Sequence, residues 1–559
     1  MSRHEASAGR ARVAVVTGGG RGIGQETCYE LARRGVVVIP LDCGVSLDGH
    51  STGEPVAEAV ASRIRASGGV ARASDASVTE REAVRALFRA VVDEFGSLDM
   101  VINFAGILRL PRFLEADQED WETVLDVHLN GYLNVLSEAL PIMTDSGFGR
   151  VVGVTSGVGL ARTNVEGVAY SAAKRAVAAL TWEMRDVLSA DVRVNAISPL
   201  AATRMVTAVV PEGVFDFAAM PQPADMAPVA AYLASEDAGD WAAGQVVFSA
   251  GSELCLISPP RLTEIIRSEG TLDLAGALGT IVPVVLNPAE RGQQTTGGFG
   301  PRFANVFDEA VTPVRNPGGG HVVVVSDDTV LNESLAKNLR VWGRTTTFLR
   351  SCQDFSRAEE TLSDVVAERG RFDALVVALG EPAGAGDDEG SWEQVVDSHR
   401  GVVRFIVANS AWLRAAGRIA AQRAWPLRAT FVTRATSSGG RTAAQALAQV
   451  ARCVNETPAD VEVNVMAVGV ESASVSDTDP LAALVARQVC AEDTRALRGA
   501  ELAVGRGWIG IRNHPQSMAT ASLGGIDIPE WVDAAFQLAV GRPPRSRIAK
   551  RLNPAGSGS

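Results

Sequence analysis

The chain has 559 residues, which is more than one hydrophobic core usually supports, so two domains are the first expectation. Hydrophobic residues make up 46% of it and charged residues 21%, a balance that is typical of a folded globular protein and excludes a disordered one. The formal net charge of -13 argues against nucleic acid or an anionic membrane as the main partner, because both are bound through an excess of Lys and Arg.

Cysteine usage and hydropathy narrow the class of protein further. The six cysteines include no C-x-x-C pair, so we predict neither a metal site nor a disulfide framework, and we expect a reducing cytoplasm. The N-terminal stretch "MSRHEASAGRAR" lacks the apolar region of a signal peptide, and no uninterrupted apolar run of about 18 residues occurs. We therefore expect a protein that is neither secreted nor membrane-spanning.

From Arg12 onward, short apolar runs alternate with longer helical patterns, which is typical of a parallel sheet with crossover helices. The runs are "VAVVTG", "VVVIPLD", "LDMVINFAG", "GRVVGVTS", "DVRVNAISP" and "GQVVFSAG". We assign residues 10–255 to one α/β domain with a doubly wound, Rossmann-type sheet. Residues 256–318 are rich in Pro and Gly and are predicted to connect two domains.

The same alternation of apolar runs and helical patterns begins again at "HVVVVSDD". The sequence of the second half can be aligned with that of the first with small shifts in register. "SLDMVINFAG" returns as "RFDALVVALG", "DWETVLDVHLNG" as "SWEQVVDSHRG", and "DVRVNAIS" as "DVEVNVMA". We therefore predict two tandem copies of one α/β unit, the second over residues 319–513. Residues 514–559, ending in "NPAGSGS", are predicted to be a loosely held extension.

The stretch "VAVVTGGGRGIG" joins the first strand to a helical pattern and predicts a dinucleotide site. Its glycines would let a pyrophosphate approach the N–H groups at the positive end of the helix. The second strand ends at Asp42, about 20 residues later, where a carboxylate would bind the adenosine ribose and repel a 2′-phosphate. NAD(H) is therefore favoured. NADP(H) stays open, since Asp42 could be a solvated strand-end acid and Arg21 could attract a phosphate.

The segment "AYSAAKRAVAAL" places Tyr170 and Lys174 four residues apart, about one helical turn, so the ammonium could sit beside the phenol. The alternative is a packed surface tyrosine with a snorkelling lysine. A phenol has a pKa of about 10, which is too high for it to act as a general base near neutral pH. A nearby positive charge would lower that pKa. The pair is therefore a candidate proton carrier.

These motifs, together with "NFAG" at residues 103–106, Asn130 and Ser156, resemble the short-chain dehydrogenase/reductase family over about residues 10–255. Within it, "LDCGVSLDGHSTG" and "SPLAATRMVTAVVPE" are most similar to the hydroxyacyl-CoA dehydrogenase unit of peroxisomal multifunctional enzyme type 2. Two departures stand out: Phe104 replaces the usual second asparagine, and Ser156 precedes Tyr170 by fourteen residues where thirteen is usual.

The resemblance implies a role for each candidate residue. Tyr170 would carry the proton, Lys174 would lower its pKa and hold the cofactor ribose, and Ser156 would hydrogen-bond the substrate oxygen. Asn130 would hold a water that relays protons to solvent, whereas His128 is interpreted as structural. The implied cofactor residues are Thr17, Gly18, Arg21, Gly22, Ile23, Gly24, Asp42, Asp75, Ala76, Asn103, Ala105, Gly106, Tyr170, Lys174, Pro199 and Thr203.

The second half lacks these features. Asp327, Leu331 and Glu333 stand where the first half has Gly18, Gly22 and Gly24, and no tyrosine occurs from residue 256 onward. Arg441 and Gln445 stand where the first half has Tyr170 and Lys174. We predict a catalytically inactive copy. The helices around 392–411 and 441–455 are expected to pack on their first-half counterparts as a pseudo-dimer within one chain.

The expected function is the NAD(H)-dependent interconversion of a ketone and a secondary alcohol by a dehydrogenase/ketoreductase. The ketone could be a 3-oxoacyl thioester, a polyketide or a steroid, and neither nucleic acid nor a membrane is an expected partner. Two chains are expected to form a homodimer, since members of the resembled family often assemble as tetramers. The alternatives are a dinucleotide-binding scaffold or sensor with little turnover, and a bifunctional enzyme with a second site near Arg434.

Overall fold

Strands with buried residues along their whole length form the centre of both halves, as expected for a sheet covered by helices on both faces. The computed structural model describes residues 10–160, 163–208, 216–267, 275–276, 319–384, 390–455, 463–472, 478–491, 494, 497 and 499–541. Within them the chain forms two eight-stranded sheets. The predicted pair of tandem Rossmann-type units is confirmed.

The first half contains strands β1 (Val13–Thr17), β2 (Val37–Leu41), β3 (Met100–Asn103), β4 (Gly149–Val154), β5 (Val192–Pro199), β6 (Val246–Ala250) and β7 (Glu253–Ser258). Its helices are α1 (Gly22–Arg33), α2 (Val56–Ala66), α3 (Arg81–Phe95), α4 (Gln118–Leu125), α5 (Gly131–Ser146), α6 (Gly157–Leu160), α7 (Val168–Glu183), α8 (Arg204–Thr207) and α9 (Pro223–Leu233). A π-type turn, Asp126–Asn130, joins α4 to α5, and a 3₁₀ turn covers Asp240–Ala242.

The remaining strands are β8 (Leu262–Arg267), β9 (His321–Val325), β10 (Thr345–Leu349), β11 (Ala374–Gly380), β12 (Leu427–Arg434), β13 (Val463–Val470), β14 (Glu501–Gly505), β15 (Trp508–Arg512) and β16 (Gln516–Ser522). The remaining helices are α10 (Thr329–Val341), α11 (Phe355–Arg369), α12 (Trp392–Ser398), α13 (Val402–Arg423), α14 (Ser438–Asn455), α15 (Thr478–Cys490) and α16 (Trp531–Ala539).

The two sheets have the same topology. The first has the order β16-β7-β6-β5-β4-β3-β1-β2, and the second has the order β8-β15-β14-β13-β12-β11-β9-β10. In each sheet, six neighbouring strands pair in parallel. The other two strands, β7 and β16 in the first sheet and β15 and β8 in the second, pair antiparallel with their neighbours. The carboxyl ends of the parallel strands of the first sheet meet at one edge, where a ligand site is expected.

The two halves exchange their outermost strands. Strand β8 follows the first half but pairs with β15 of the second sheet, and β16 follows the second half but pairs with β7 of the first. The two chain segments are bonded to each other at Arg261 and Asn513. The Asn513 N–H donates to the Arg261 carbonyl at 2.9 Å, and the Arg261 N–H donates to the Asn513 side-chain oxygen at 2.6 Å. Each half therefore completes the sheet of the other.

The exchange corrects two sequence expectations. The segment expected to connect the domains, residues 256–318, contributes the end of β7 and all of β8, while 268–274 and 277–318 lie outside the described residues. The expected loose extension, 514–559, is wrong for residues 516–541, because β16 joins the first sheet and α16 buries Val532 and Phe536 beneath it. Residues 542–559 lie outside the described residues.

The predicted intrachain pseudo-dimer is confirmed by the packing of α7 along α14, with α4 against α13 and α5 against α12. One continuous hydrophobic core contains residues of both halves. Polar contacts also join the two halves across α7 and α14. The Arg441 guanidinium donates to both carboxylate oxygens of Glu183, at 3.0 and 2.6 Å, and the Gln449 amide donates to the carbonyl of Val158 at 2.7 Å.

Phe536→Ala is expected to lower the free energy of unfolding by about 3–5 kcal/mol, because it removes a buried ring whose centroid lies 5.0 Å from that of Trp241. Leu538→Ala is the matched control on the same helix. Its side chain is 66% exposed, so a change below about 0.5 kcal/mol is expected. Chemical denaturation measures both variants. Equal, small effects would contradict a docked α16.

Candidate active site

The turn between β1 and α1 requires glycine for steric reasons. Gly18 has φ +63°, and a Cβ there would lie 2.7 Å from the carbonyl carbon of Phe104. A Cβ on Gly24 would lie 2.2 Å from the carbonyl oxygen of Gly18. Helix α1 begins at Gly22 without a side-chain cap, so the N–H groups of its first turn are available to an anion. The pyrophosphate of a dinucleotide fits this glycine turn.

Asp42 follows β2 and is held by the backbone on both sides. Its two carboxylate oxygens accept hydrogen bonds from the N–H groups of Gly20, at 3.1 Å, and Gly44, at 2.9 Å. An ionised carboxylate has further lone pairs, which could accept ribose hydroxyls. Arg21 lies nearby, but its guanidinium donates to the Val45 carbonyl at 2.8 Å and pairs with Glu54. The carboxylate is therefore the oriented group, and the guanidinium is already engaged.

One cavity of about 1020 Å³ runs from this turn to the carboxyl ends of the strands. Both halves contribute to its wall, because Val403 and Arg404 of α13 line it together with first-half residues. The predicted residues that line it are Gly18, Arg21, Gly22, Ile23, Gly24, Asp42, Ala76, Ala105, Gly106, Asn130, Ser156, Tyr170, Lys174, Pro199 and Thr203.

Three predicted cofactor residues do not line the cavity. Thr17 and Asn103 lie behind it, where the Thr17 hydroxyl donates to the Asn103 amide oxygen at 2.7 Å and accepts the Ala105 N–H at 3.0 Å. These bonds hold the strand end that carries Ala105. Asp75 is exposed and follows the bridge between Leu41 and Ser74.

Helix α7 brings Tyr170 and Lys174 to the cavity. The Lys174 ammonium lies 5.5 Å from the centre of the Tyr170 ring and donates to the Val154 carbonyl at 2.9 Å. Burial lowers the pKa of Lys174 to about 7. Burial raises the pKa of Tyr170 to about 12, although a hydrogen bond with Ser156 lowers it in part. Ser156 therefore meets Tyr170 despite the spacing of fourteen residues.

Asn130 and His128 lie on the same π-type turn but have different hydrogen-bond partners. The Asn130 amide donates to the Asp126 carboxylate at 2.8 Å. The His128 ring packs edge-on against the Tyr170 ring, with 5.1 Å between centroids, and its Nε2 lies 2.8 Å from the Ile107 carbonyl oxygen. The histidine that was interpreted as structural thus also contacts the tyrosine.

A sequence signal for His128 exists, but it is weak. A Cβ on Gly106 would lie 2.6 Å from the Cε1 atom of His128, so the last glycine of "NFAG" makes room for this ring. π-Type turns occur often at functional sites, but they depend on hydrogen-bond geometry that a sequence pattern does not reveal.

In the second half, side chains fill the equivalent place. The Asp328 carboxylate accepts the N–H of Leu331 at 3.0 Å and so caps α10, where the first half leaves its helix start open. The Arg434 guanidinium lies 3.6 Å from Asp328. Glu381 accepts the N–H of Thr436 at 2.9 Å and its hydroxyl at 2.6 Å. The helix terminus that would bind a phosphate is therefore occupied by a carboxylate.

Other kinds of site find no support in the part of the chain that the structure describes. There, no three His, Cys, Asp or Glu side chains cluster in a way that could hold a metal ion. No helix among the described residues is long and apolar enough to cross a membrane. All six cysteines lie in described segments, and no two of them form a disulfide.

Comparison with known proteins relates the first half to dehydrogenases. The family model "short chain dehydrogenase" matches residues 12–212. A short-chain type dehydrogenase/reductase of Mycobacterium tuberculosis is 37% identical over 241 residues, 42% of this chain and 82% of that protein. A 3-oxoacyl-[acyl-carrier-protein] reductase of Synechocystis is 32% identical over 240 residues, 42% of this chain and 94% of that protein.

The narrower resemblance is also confirmed. Peroxisomal multifunctional enzyme type 2 of Drosophila melanogaster is 34% identical over 230 residues, 41% of this chain but only 37% of that longer enzyme. Among solved structures, the NADP-containing N-domain of a bacterial malonyl-CoA reductase aligns with 89% of this chain and 98% of its own, with a TM-score of 0.63 and 15% identity. At that identity the likeness concerns the fold, and it extends over both halves.

The buried Lys174 predicts a pH dependence of stability in the cofactor-free protein. Its native pKa of about 7 lies below the value of about 10.4 of an unfolded lysine. Between these values the unfolded chain binds more protons, so this lysine makes stability rise with pH. The wild type should gain about 2–3 kcal/mol relative to Lys174→Met between pH 7 and 9.5. Denaturant titrations at both pH values test this, and parallel curves would contradict it.

Proposed function

The chain belongs to the short-chain dehydrogenase/reductase family, and on that basis we propose that its first half interconverts a ketone and a secondary alcohol with NAD(H). The observation that carries the proposal is the meeting of Tyr170, Lys174 and Ser156 in the cavity that begins at the glycine turn. A dinucleotide-binding scaffold or sensor would not need a proton carrier at that place.

The glycine turn and the start of α1 would hold the pyrophosphate, and Asp42 would hold the adenosine ribose. The nicotinamide, when bound, supplies the hydride acceptor or donor. The chain's own task is to orient the substrate oxygen and to move its proton. Ala105, Gly106 and Pro199, which line the cavity, would form the wall behind the ring.

Tyr170 and Lys174 would act as one unit. Burial drives both groups toward their neutral forms, as their opposite pKa shifts indicate. Once the phenol loses its proton, the phenolate favours the ammonium form of Lys174, and the ammonium in turn stabilises the phenolate. In the oxidation direction, Tyr170 would accept the proton of the substrate hydroxyl while Ser156 donates a hydrogen bond to its oxygen. Reduction would reverse these steps.

A 3-oxoacyl thioester is the substrate class we favour. The cavity wall includes the apolar side chains Val45, Ile107, Met205 and Val206, which would suit an apolar substrate chain. The name of the Synechocystis relative gives 3-oxoacyl-[acyl-carrier-protein] as its substrate. Polyketide and steroid ketones are the alternatives, and a panel of the three ketone classes separates them.

We assign residues 319–513 the role of an inactive copy that supports the first half. The capped start of α10 and the ion pair of Arg434 with Asp328 support this assignment and weigh against a second active site. Two chains are proposed to associate as a homodimer, which sedimentation velocity would test. A reducing cytoplasm is the proposed compartment, since none of the six cysteines forms a disulfide.

Tyr170→Phe is expected to abolish turnover while changing the Kd for NAD by less than about threefold, because the hydroxyl carries the proton but is one contact among many. Steady-state kinetics with the best ketone and calorimetric titration with NAD measure the two effects. If Tyr170→Phe kept more than a few per cent of the wild-type activity, Tyr170 would not be the proton carrier.

Asp42→Ala is expected to relax discrimination against NADP, because it removes both the proposed ribose acceptor and the charge that repels a 2′-phosphate. The measurement is the ratio of kcat/KM for NAD and NADP. Asp75→Ala, an exposed carboxylate outside the cavity, is the control and should leave the ratio unchanged. A wild type that already prefers NADP would show that Asp42 does not bind the ribose.

A further inference from the structure

The turn that carries Ser156 is bonded to the short helix that follows it. Helix α6 begins at Gly157, directly after the serine. The Ser156 carbonyl accepts the N–H groups of Gly159, at 2.9 Å, and of Leu160, at 3.1 Å, so the serine and α6 form one hydrogen-bonded unit. A group that holds α6 therefore also sets the position of the Ser156 hydroxyl.

Helix α7 holds one side of this turn. The Thr155 hydroxyl donates to the Lys174 carbonyl at 2.7 Å, and the Arg175 guanidinium donates to the Leu160 carbonyl at 3.2 Å. A Cβ on Gly159 would lie 2.6 Å from the carbonyl carbon of Lys174, so α6 lies against α7 more closely than a larger residue would allow. The turn is thus fixed to the helix that carries the proposed proton carrier.

A further contact to the turn comes from the second half of the chain. The side-chain amide of Gln449, on α14, donates to the Val158 carbonyl of α6 at 2.7 Å. Gln449 is fully buried, and a hydrogen bond is stronger in such surroundings than in water. The second half also supplies Glu501, whose carboxylate lies 3.9 Å from Arg175. It therefore reaches the serine turn directly at Val158 and indirectly through Arg175.

The duplication indicates that the Gln449 contact runs in one direction. When "RTAAQALAQ" is laid over "YSAAKRAVA", Gln449 falls opposite Ala178, which has no hydrogen-bonding side chain. The corresponding turn of the second half is held within its own half, where Glu381 accepts the N–H groups of Thr436, at 2.9 Å, and of Ser437, at 3.2 Å. The amide thus belongs to the half without a catalytic tyrosine and acts on the half that has one.

We propose that Gln449 is a positioning residue of the reaction, whose amide holds α6 so that the Ser156 hydroxyl stays aligned with Tyr170 and the substrate oxygen. This inference rests on the proposed function. Gln449 does not line the cavity, so its effect passes through Val158 and the serine turn. The second half then acts on catalysis at one defined point, in addition to the packing that keeps α7 in place.

The proton step at Tyr170 depends on the position of Ser156. Their hydrogen bond lowers the pKa of the phenol, whereas burial raises it. Displacement of Ser156 would make the phenol harder to ionise, so oxidation would require a higher pH. Lys174, on the same helix, and His128, on the π-type turn, are the titratable groups beside the phenol, and both lie outside the segment that Gln449 holds.

Gln449→Met in the full-length protein removes the amide and keeps a side chain of similar length. We expect kcat to fall about tenfold, which is part of the 100-fold or more that follows complete loss of a positioned hydrogen-bond donor. The Kd for NAD should stay unchanged. The pH at which kcat for oxidation reaches half of its plateau should rise.

Glu183→Gln is the matched control. It weakens the contact with Arg441 across the same pair of helices, about 20 Å along α7 from Tyr170. We expect lower stability in denaturant titrations, with the kcat and the pH profile of the wild type.

A double-mutant cycle separates positioning from a general structural effect. In a Ser156→Ala background the hydroxyl that Gln449 positions is gone, so adding Gln449→Met should lower kcat by less than about twofold. A tenfold loss in both backgrounds would overturn the proposal, and so would a Gln449→Met variant with wild-type kcat. If Ser156→Ala turns over too slowly to measure, the pH profile decides, and an unchanged profile in a slower Gln449→Met variant would overturn it.

The outcome is decided even if Gln449→Met fails to fold. Gln449→Asn keeps a buried amide but retracts it by one methylene group from the Val158 carbonyl, so the same loss of kcat and the same shift of the pH profile are expected. Wild-type values in this variant would overturn the proposal. Tyr170→Phe is measured in parallel. An active Tyr170→Phe variant would reject the proposed function, whereas an inactive one beside fully active Gln449 variants would reject only the role of Gln449.

Discussion

Burial of α7 between its own sheet and α14 of the second half is the constraint on which the rest of the structure depends. Adjacent residues of this helix serve the two sides: Lys174 points its ammonium at the Val154 carbonyl in the cavity, while Arg175 is fully buried and lies 3.9 Å from Glu501 in the second half. Arg452 shares that carboxylate at 3.5 Å. A buried charge that loses its partner costs about 3–5 kcal/mol, so α7 cannot leave the second half without a large loss of stability.

The exchange of β8 and β16 makes the dependence mutual. Each half supplies the outermost strand of the other, and the two segments are joined at Arg261 and Asn513. This arrangement gives a physical reason for keeping a copy that has lost its glycines and its tyrosine. Its apolar faces are still needed for packing, whereas its phosphate-binding turn can be replaced by the capping carboxylate of Asp328 without loss to the fold.

Features set by local chemistry could be predicted from the sequence. The central strands, the glycine turn, Asp42 and the Tyr170–Lys174 pair follow from apolar runs, steric demand and short spacings along the sequence. The exchanged strands could not be predicted in this way. Segment "QSMATAS" is polar and small, and it becomes β16 only because the edge of β7 is available to it more than 250 residues away in sequence. The contacts of His128 with Tyr170 and Ile107 could not be predicted for the same kind of reason, since they come from distant segments.

The central claim is one working site per chain, braced by an inactive copy. Calorimetric titration of the full-length protein with NAD tests it most directly, alongside Gly24→Val, whose Cβ would lie 2.2 Å from the Gly18 carbonyl oxygen and block the glycine turn of the first half. The account predicts one bound NAD per 559-residue chain and none in the variant. Two NAD molecules per chain, or binding that persists in Gly24→Val, would place a cofactor in the second half and contradict it.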